Sequence, residues 1–148
     1  MNLVQHILVD ARRRLAVLAP GASIQDIATI LANPDTPLVI VCDSEGVALG
    51  VVSSTDIVNA LSRDCNKALN ANAAVLMTQP IHSCKVEQTL QSIWVSMGAG
   101  NHRCVPVLDD SGRPRGVVHA RDVARALLDE ATTEEVLLRD YVLGIGYQ

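Results

Sequence analysis

Gly50-Val51-Val52-Ser53-Ser54-Thr55-Asp56-Ile57 and Gly116-Val117-Val118-His119-Ala120-Arg121-Asp122-Val123 are one passage written twice, 66 residues apart. The same shift carries residues 23–61 onto 89–127 without a gap, and 12 of those 39 positions are identical. Unrelated stretches of ordinary composition agree at roughly 6% of positions. Gln25/Gln91, Asp43/Asp109, Gly46/Gly112, Gly50/Gly116 and Asp56/Asp122 are among the matches. A repeat of this period sets the architecture before any local reading does.

Each copy reads in the same order. Ser23, with Asp26 three residues on, caps a helix whose apolar stripe is Ile24, Ile27, Ala28 and Leu31. Thr89 caps the second copy, with Leu90, Ile93, Trp94 and Met97 as its stripe. The β-rich runs 38–42 and 104–108 follow. Asp43-Ser44-Glu45-Gly46 and Asp109-Asp110-Ser111-Gly112 are hairpin turns, opened by Asp and closed by a Gly that supplies positive φ. Strands return over 48–52 and 115–118, and short helices run from Thr55 to about Ser62 and from Arg121 to about Leu128. Residues 15–18 and 81–86 each supply a further strand. The expected fold is α/β (α+β), two pseudo-symmetric β-α-β-β-α units packed as one module. Its divisions are 2–62 for the first repeat, 63–73 for a polar linker, 74–128 for the second repeat and 129–148 for a helical tail ended by Gly144 and Gly146.

Composition narrows the function. Of 148 residues, 49% are hydrophobic and 19% charged, which excludes intrinsic disorder. The aromatics are Trp94, Tyr141 and Tyr147, too few for the stacking platforms of single-strand nucleic-acid binders. The net charge of −4 also argues against nucleic acid as a partner. Arg12-Arg13-Arg14 is the local exception, either a solvated run or a phosphate contact. The cysteines at 42, 65, 84 and 104 form no CxxC pair. Cys42 and Cys104 sit in apolar runs as buried thiols, and with no signal peptide they point to a cytoplasmic protein. No apolar run is long enough for a membrane span. His82, Cys84, His102 and Cys104 have no standard metal-ligand spacing, so no metal is expected. Neither nucleophile-elbow, zincin, dinucleotide-fold nor P-loop sequences occur.

The two passages quoted first, with Val107-Leu108-Asp109-Asp110-Ser111-Gly112 before the second and Leu76-Met77-Thr78 followed by Pro80 before the repeat, resemble a tandem pair of cystathionine-β-synthase (CBS) domains. The resemblance covers residues 2–128. It implies a stand-alone, non-catalytic regulatory module that forms a homodimer. It also implies an adenosine-containing ligand (AMP, ADP, ATP, S-adenosylmethionine or NAD) bound in the cleft between the repeats, and modulation of an unidentified protein partner. The ligand motif of the family is an apolar residue, any residue, Ser or Thr, two further residues, then Asp. Val51, Ser53 and Asp56 match it, with Thr55 as neighbour.

The chemistry suits such a ligand. One carboxylate accepts from both hydroxyls of a ribose, and a helix N-terminus suits a phosphate. Leu38 to Ile40 would sandwich the adenine. Ser53-x-x-Asp56 also reads as a capping box in which the helix start alone explains the pair. The second copy departs from the motif. His119 replaces Ser or Thr, either as a hydrogen-bonding, pH-sensitive group or as drift at an empty site, while Asp122 is kept. Arg121 either clamps a phosphate or is solvated. In the first copy Ile40 stands where the family has Pro, which Pro106 keeps in the second. Trp94 is read as core or dimer packing, and 141–147 as a cover for its own flank or a partner's dock. The alternative to a sensor is a ligand-free dimeric interaction scaffold whose motifs only cap helices.

Overall fold

The computed structural model describes residues 2–146, and for residues 145 and 146 the backbone alone. After a 3-10 turn at Val4–Ile7 come α1 (Leu8–Arg13), β1 (Val17–Leu18) and α2 (Ile24–Leu31). The hairpin of β2 (Leu38–Cys42) and β3 (Ala48–Ser53) leads into α3 (Ser54–Arg63). Two short helices, α4 (Cys65–Leu69) and α5 (Ala73–Leu76), cross to the second half. There α6 (Leu90–Gly100), β4 (Cys104–Leu108), β5 (Pro114–His119) and α7 (Ala120–Gly146) repeat the order. The chain is thus an α+β pair of units.

The repeat extends to hydrogen-bond register. Leu38 pairs with Ser53 and Cys104 with His119, Val41 with Gly50 and Val107 with Gly116. Each ladder slips at the same place, after Val41 and after Val107. The turns are copies too. Asp43 Oδ1 accepts from the N–H of Glu45 and of Val47 (2.9 and 3.0 Å), and Asp109 Oδ1 from the N–H of Ser111 and of Arg113 (both 2.9 Å). Gly46 and Gly112 both sit at φ +83°, which a side chain rarely adopts. The turn grammar therefore accounts for both aspartates. The hairpins also meet across the halves. Ala48 N–H donates to Gly112 C=O (2.9 Å) and Arg113 Nε to Glu45 C=O (2.9 Å).

Each half takes the other's opening helix into its core. Val4, Leu8 and Ala11 are buried with Leu90, Ile93, Met97, Val105, Val107, Val118 and Val123 of the second half. Ala73 and Leu76 are buried with Ile27, Val39, Val41 and Val52 of the first. The crossing needs two glycines. A Cβ on Gly116 would lie 2.8 Å from the Ala11 carbonyl carbon, and one on Gly50 2.7 Å from Met77 Sδ. Ala11 and Met77 are themselves 66 residues apart. Leu38, Ile40, Cys42 and Val117 form a third apolar cluster, which joins β2 to β5.

Three expectations need correction. Residues 15–18 supply β1, parallel to β2, but 81–86 supply only a bridge from Cys84 to Val107. Beyond it the backbone turns to the N-terminal segment, where Val86 and Gln88 carbonyls accept from the N–H groups of Gln5 and Val4. The last helix does not stop near Leu128. Residues 129–134 hold no Gly or Pro, so α7 runs on to Gly146. The polar linker 63–73 carries its own short helices, since Asp64 and Asn72 accept from Lys67 and Val75 N–H and cap α4 and α5. Of the core or dimer packing read for Trp94, the core half fails, since the side chain is 45% exposed. α6 buries Leu90, Ile93 and Met97 instead.

Candidate functional site

β3 delivers Ser53 to the start of α3, and the capping box is complete. Ser53 Oγ accepts from Asp56 N–H (3.3 Å), and Asp56 Oδ2 accepts from Ser53 N–H (2.9 Å) and Ser53 Oγ (3.1 Å). The cap thus uses one carboxylate oxygen. The other, Oδ1, accepts from Thr78 Oγ1 (3.0 Å). Thr78 is itself pinned to β3, giving and taking a backbone hydrogen bond with Val51 (2.7 and 3.2 Å).

Asp56 and Thr78 stand at a cleft of about 510 Å³. One face of α3 lines it through Asp56, Asn59, Ala60 and Arg63, and Lys67 of α4 and Val75 and Leu76 of α5 lie opposite. Two cations, Arg63 and Lys67, two carboxylates, Asp56 with one oxygen outside its cap and Asp64 at the cap of α4, and apolar walls therefore share one space. A pocket of this size and mixed lining suits a small organic molecule. Ser53 and Thr55 do not line it, and Thr55 is exposed on the first turn of α3. The adenine sandwich proposed for Leu38 to Ile40 is overturned. All three side chains are buried in the core, at 7%, 0% and 0% exposure, with no open face.

The second half places the same motif differently. His119 precedes α7, and its Nδ1 accepts from Arg121 N–H (2.9 Å). The ring is therefore itself a cap, which requires it neutral with the proton on Nε2. Burial, then the Arg121, Arg14 and Arg103 guanidinium groups, hold His119 below the ordinary histidine value, against the pull of Asp122. Asp122 is buried and paired with Arg14 Nη1, their side chains 10% and 14% exposed. Breaking such a pair by removing one partner costs about 3–5 kcal/mol, because the other charge stays buried. Arg121 is exposed. Cys104 lies in the field of Arg14, Arg103, Arg121 and Asp122, and burial still raises its thiol to about 11.

The structure thus sorts the candidate residues into two separate helix starts. Ser53, Thr55 and Asp56 belong to one, His119, Arg121 and Asp122 to the other. The Arg12–Arg14 run divides as well. Arg12 and Arg13 are exposed, with Arg13 3.7 Å from Asp10, while Arg14 turns inward. Two residues outside the motif, Thr78 and Arg14, decide what each carboxylate meets. Thr78 was legible as part of the Met77-Thr78 opening, and Arg14 only as part of a charge run. His82 and His102 stack at 4.3 Å between ring centroids, and His82 Nε2 lies 2.7 Å from Ser96 Oγ. Among the described residues no group of three or more His, Cys, Asp or Glu could hold a metal ion. Among them, too, no helix is long and apolar enough to cross a membrane.

Comparison with known proteins places this geometry. The CBS domain family matches residues 4–63 and 73–129. An uncharacterised 17.7 kDa protein of Acidianus ambivalens is 26% identical over 92% of this chain and 81% of its own. A CBS-domain containing protein of Agrobacterium tumefaciens superposes with a TM-score of 0.74 at 29% identity, over 84% of this chain and 92% of that one. The CBS domain pair of protein MJ0100, solved with 5′-methylthioadenosine and S-adenosyl-L-methionine, gives 0.75 at 25% identity, over 88% and 98%. Of two homoserine O-acetyltransferases that it also matches, this chain spans only 25% and 22% of the length. With both copies matched and the fold shared along nearly the whole chain, this protein belongs to the CBS domain family.

Proposed function

We propose that this chain is a non-catalytic regulatory module that binds an adenosine-containing ligand in the cleft at Asp56 and Thr78 and alters its grip on a partner protein. One observation carries the reading. Asp56 spends Oδ2 on the cap and keeps Oδ1, held by a single rotatable hydroxyl, at the cleft. A ribose diol takes the place of that hydroxyl at small cost, since one neutral hydrogen bond is replaced by others. The Arg63 and Lys67 side chains receive a phosphate or a carboxylate at the far end. The ligand complex of the related MJ0100 pair supports the adenosyl class. Ser53 acts by capping the start of α3, with Thr55 exposed beside it. Exposed Trp94 and Val95 on α6 supply a contact surface for a homodimer or another protein. Such a ligand changes the partner's grip only as far as its affinity differs between the two states.

A second reading keeps a specific support. Both motif aspartates have complete structural duties, Asp56 in its capping box and Asp122 in its ion pair, as a ligand-free dimeric scaffold requires. Thermal unfolding against AMP, ADP, ATP, S-adenosylmethionine and NAD, with guanine nucleotides as controls, separates the two. At 100 times its Kd a ligand adds about 2.7 kcal/mol. At roughly 2–4 °C per kcal/mol that is a rise of about 5–11 °C. The sensor reading expects such a rise with one adenosyl compound and its loss in Asp56→Ala, which without ligand costs about 1 kcal/mol of capping. No rise with any compound at millimolar concentration supports the scaffold.

A further inference from the structure

The two motif carboxylates are equivalent by repeat, yet they meet different chemistry. Each half is crossed by the opening helix of the other, Met77 lying against Gly50 and Ala11 against Gly116. The chain that follows each helix then reaches the aspartate. After α5 it is Thr78, whose hydroxyl donates to Asp56 in an exposed setting. After α1 it is Arg14, whose guanidinium pairs with Asp122, both side chains nearly nine-tenths buried. A hydroxyl swings aside by a turn about one bond. A buried guanidinium has to leave its counter-charge and find water before a ribose can enter, and it already spends the carboxylate's charge.

We propose that Arg14 is a specificity-determining residue that occupies the second-half carboxylate in place of a ribose, so that the chain takes one adenosyl ligand, in its first half only. The inference rests on the adenosyl reading of the Asp56 cleft and adds a stoichiometry and its cause. His119 agrees with it. Both cap residues are spent on their helix starts, but where the first copy has a small hydroxyl the second has an imidazole, whose Nδ1 accepts from Arg121 N–H. Arg14 is thus the built-in occupant of a site whose sequence motif survives.

The test counts AMP bound per chain by equilibrium dialysis at millimolar AMP, repeated with S-adenosylmethionine, for the native protein, Asp56→Ala and Arg14→Gln. The shorter, neutral Gln removes the charge paired with Asp122 and keeps a hydrogen-bond donor on the side chain. The expected counts are one, none and two. A native count of two, one molecule still bound by Asp56→Ala, or a folded Arg14→Gln that binds no more than the native protein each overturns the proposal. A native count of none with one molecule on Arg14→Gln overturns the first-half site and with it the count of one, and leaves Arg14 as the occupant of the second site. Where Arg14→Gln does not fold, as judged by circular dichroism, the other two proteins decide, and any pair of counts other than one and none overturns it.

Discussion

At the start of α3 a carboxylate holds two hydroxyl groups, and at the start of α7, 66 residues on, its equivalent holds a guanidinium. Strand register, bulge, turn and crossing glycine are the same on both sides. Duplication has preserved what the backbone needs and has let the side chains beside the aspartate diverge. A motif that survives in both halves therefore signals a shared helix start in each, and a ligand site only where its neighbour leaves the carboxylate accessible.

The widest gap between the halves is expected when each carboxylate loses its neighbour. Arg14→Ala or Asp122→Ala strands a buried charge, at about 3–5 kcal/mol, and lowers Tm by roughly 6–20 °C. Arg14→Met with Asp122→Leu removes both charges and is expected to stay within about 1 kcal/mol of the native protein, since apolar replacement of a buried pair is often neutral. Thermal melts of the three variants check the coupling, and a double variant as unstable as either single one breaks the account of Asp122. A smaller contrast lies at the crossing glycines. Gly116→Ala drives a methyl against the Ala11 backbone, and about 1–3 kcal/mol of overpacking follows. Gly50→Ala meets the flexible side chain of Met77 and is expected to cost less. Urea unfolding of the pair reads the difference, and equal losses would mean that the two crossings are equally rigid.

The smallest effect separates His119 from Ser53 by pH. The fold holds His119 below its ordinary value of 6.5, so folding favours the neutral ring. That contribution is complete above about pH 6.5 and is lost as pH falls through the lower folded value. Protonation removes the acceptor for Arg121 N–H and adds a cation among Arg14, Arg103 and Arg121, with Asp122 as the opposing charge beside it. Tm is expected to fall between pH 7 and 5, and to fall less in His119→Asn, which still caps. The remainder belongs to His82, lowered in the same direction by burial and by His102. An unchanged slope in His119→Asn removes His119 from the acid response.

Much of this was legible in the sequence because it is local. Capping residues, turn aspartates and the positive-φ glycines act over two to four positions, and each stood at the same place in both copies. The exchange of opening helices was not legible, since Val4, Leu8 and Ala11 carry no mark of which core they enter. Arg14 was hidden for the same reason. A guanidinium in a run of three reads as solvated, and only the crossing of α1 over β5 brings it to Asp122. Leu38 to Ile40 misled in the opposite sense, because apolar strand residues line a ligand or fill a core with the same alphabet, and here the core takes them. The length of α7 escaped because a repeat predicts that both copies of a helix end together, and nothing in residues 129–134 enforces that end.

The claim that everything else leans on is that Asp56 belongs to the ligand and Asp122 to the fold. Calorimetric titration of AMP and S-adenosylmethionine into the native protein, Asp56→Ala and the Arg14→Met/Asp122→Leu double variant tests it directly. Asp56→Ala is expected to show no measurable binding of either ligand, because both ribose hydrogen bonds to the carboxylate are lost, about 1.5–3 kcal/mol each, while the double variant binds as the native protein does. Equal weakening in both, or binding that survives in Asp56→Ala and fails in the double variant, would contradict it.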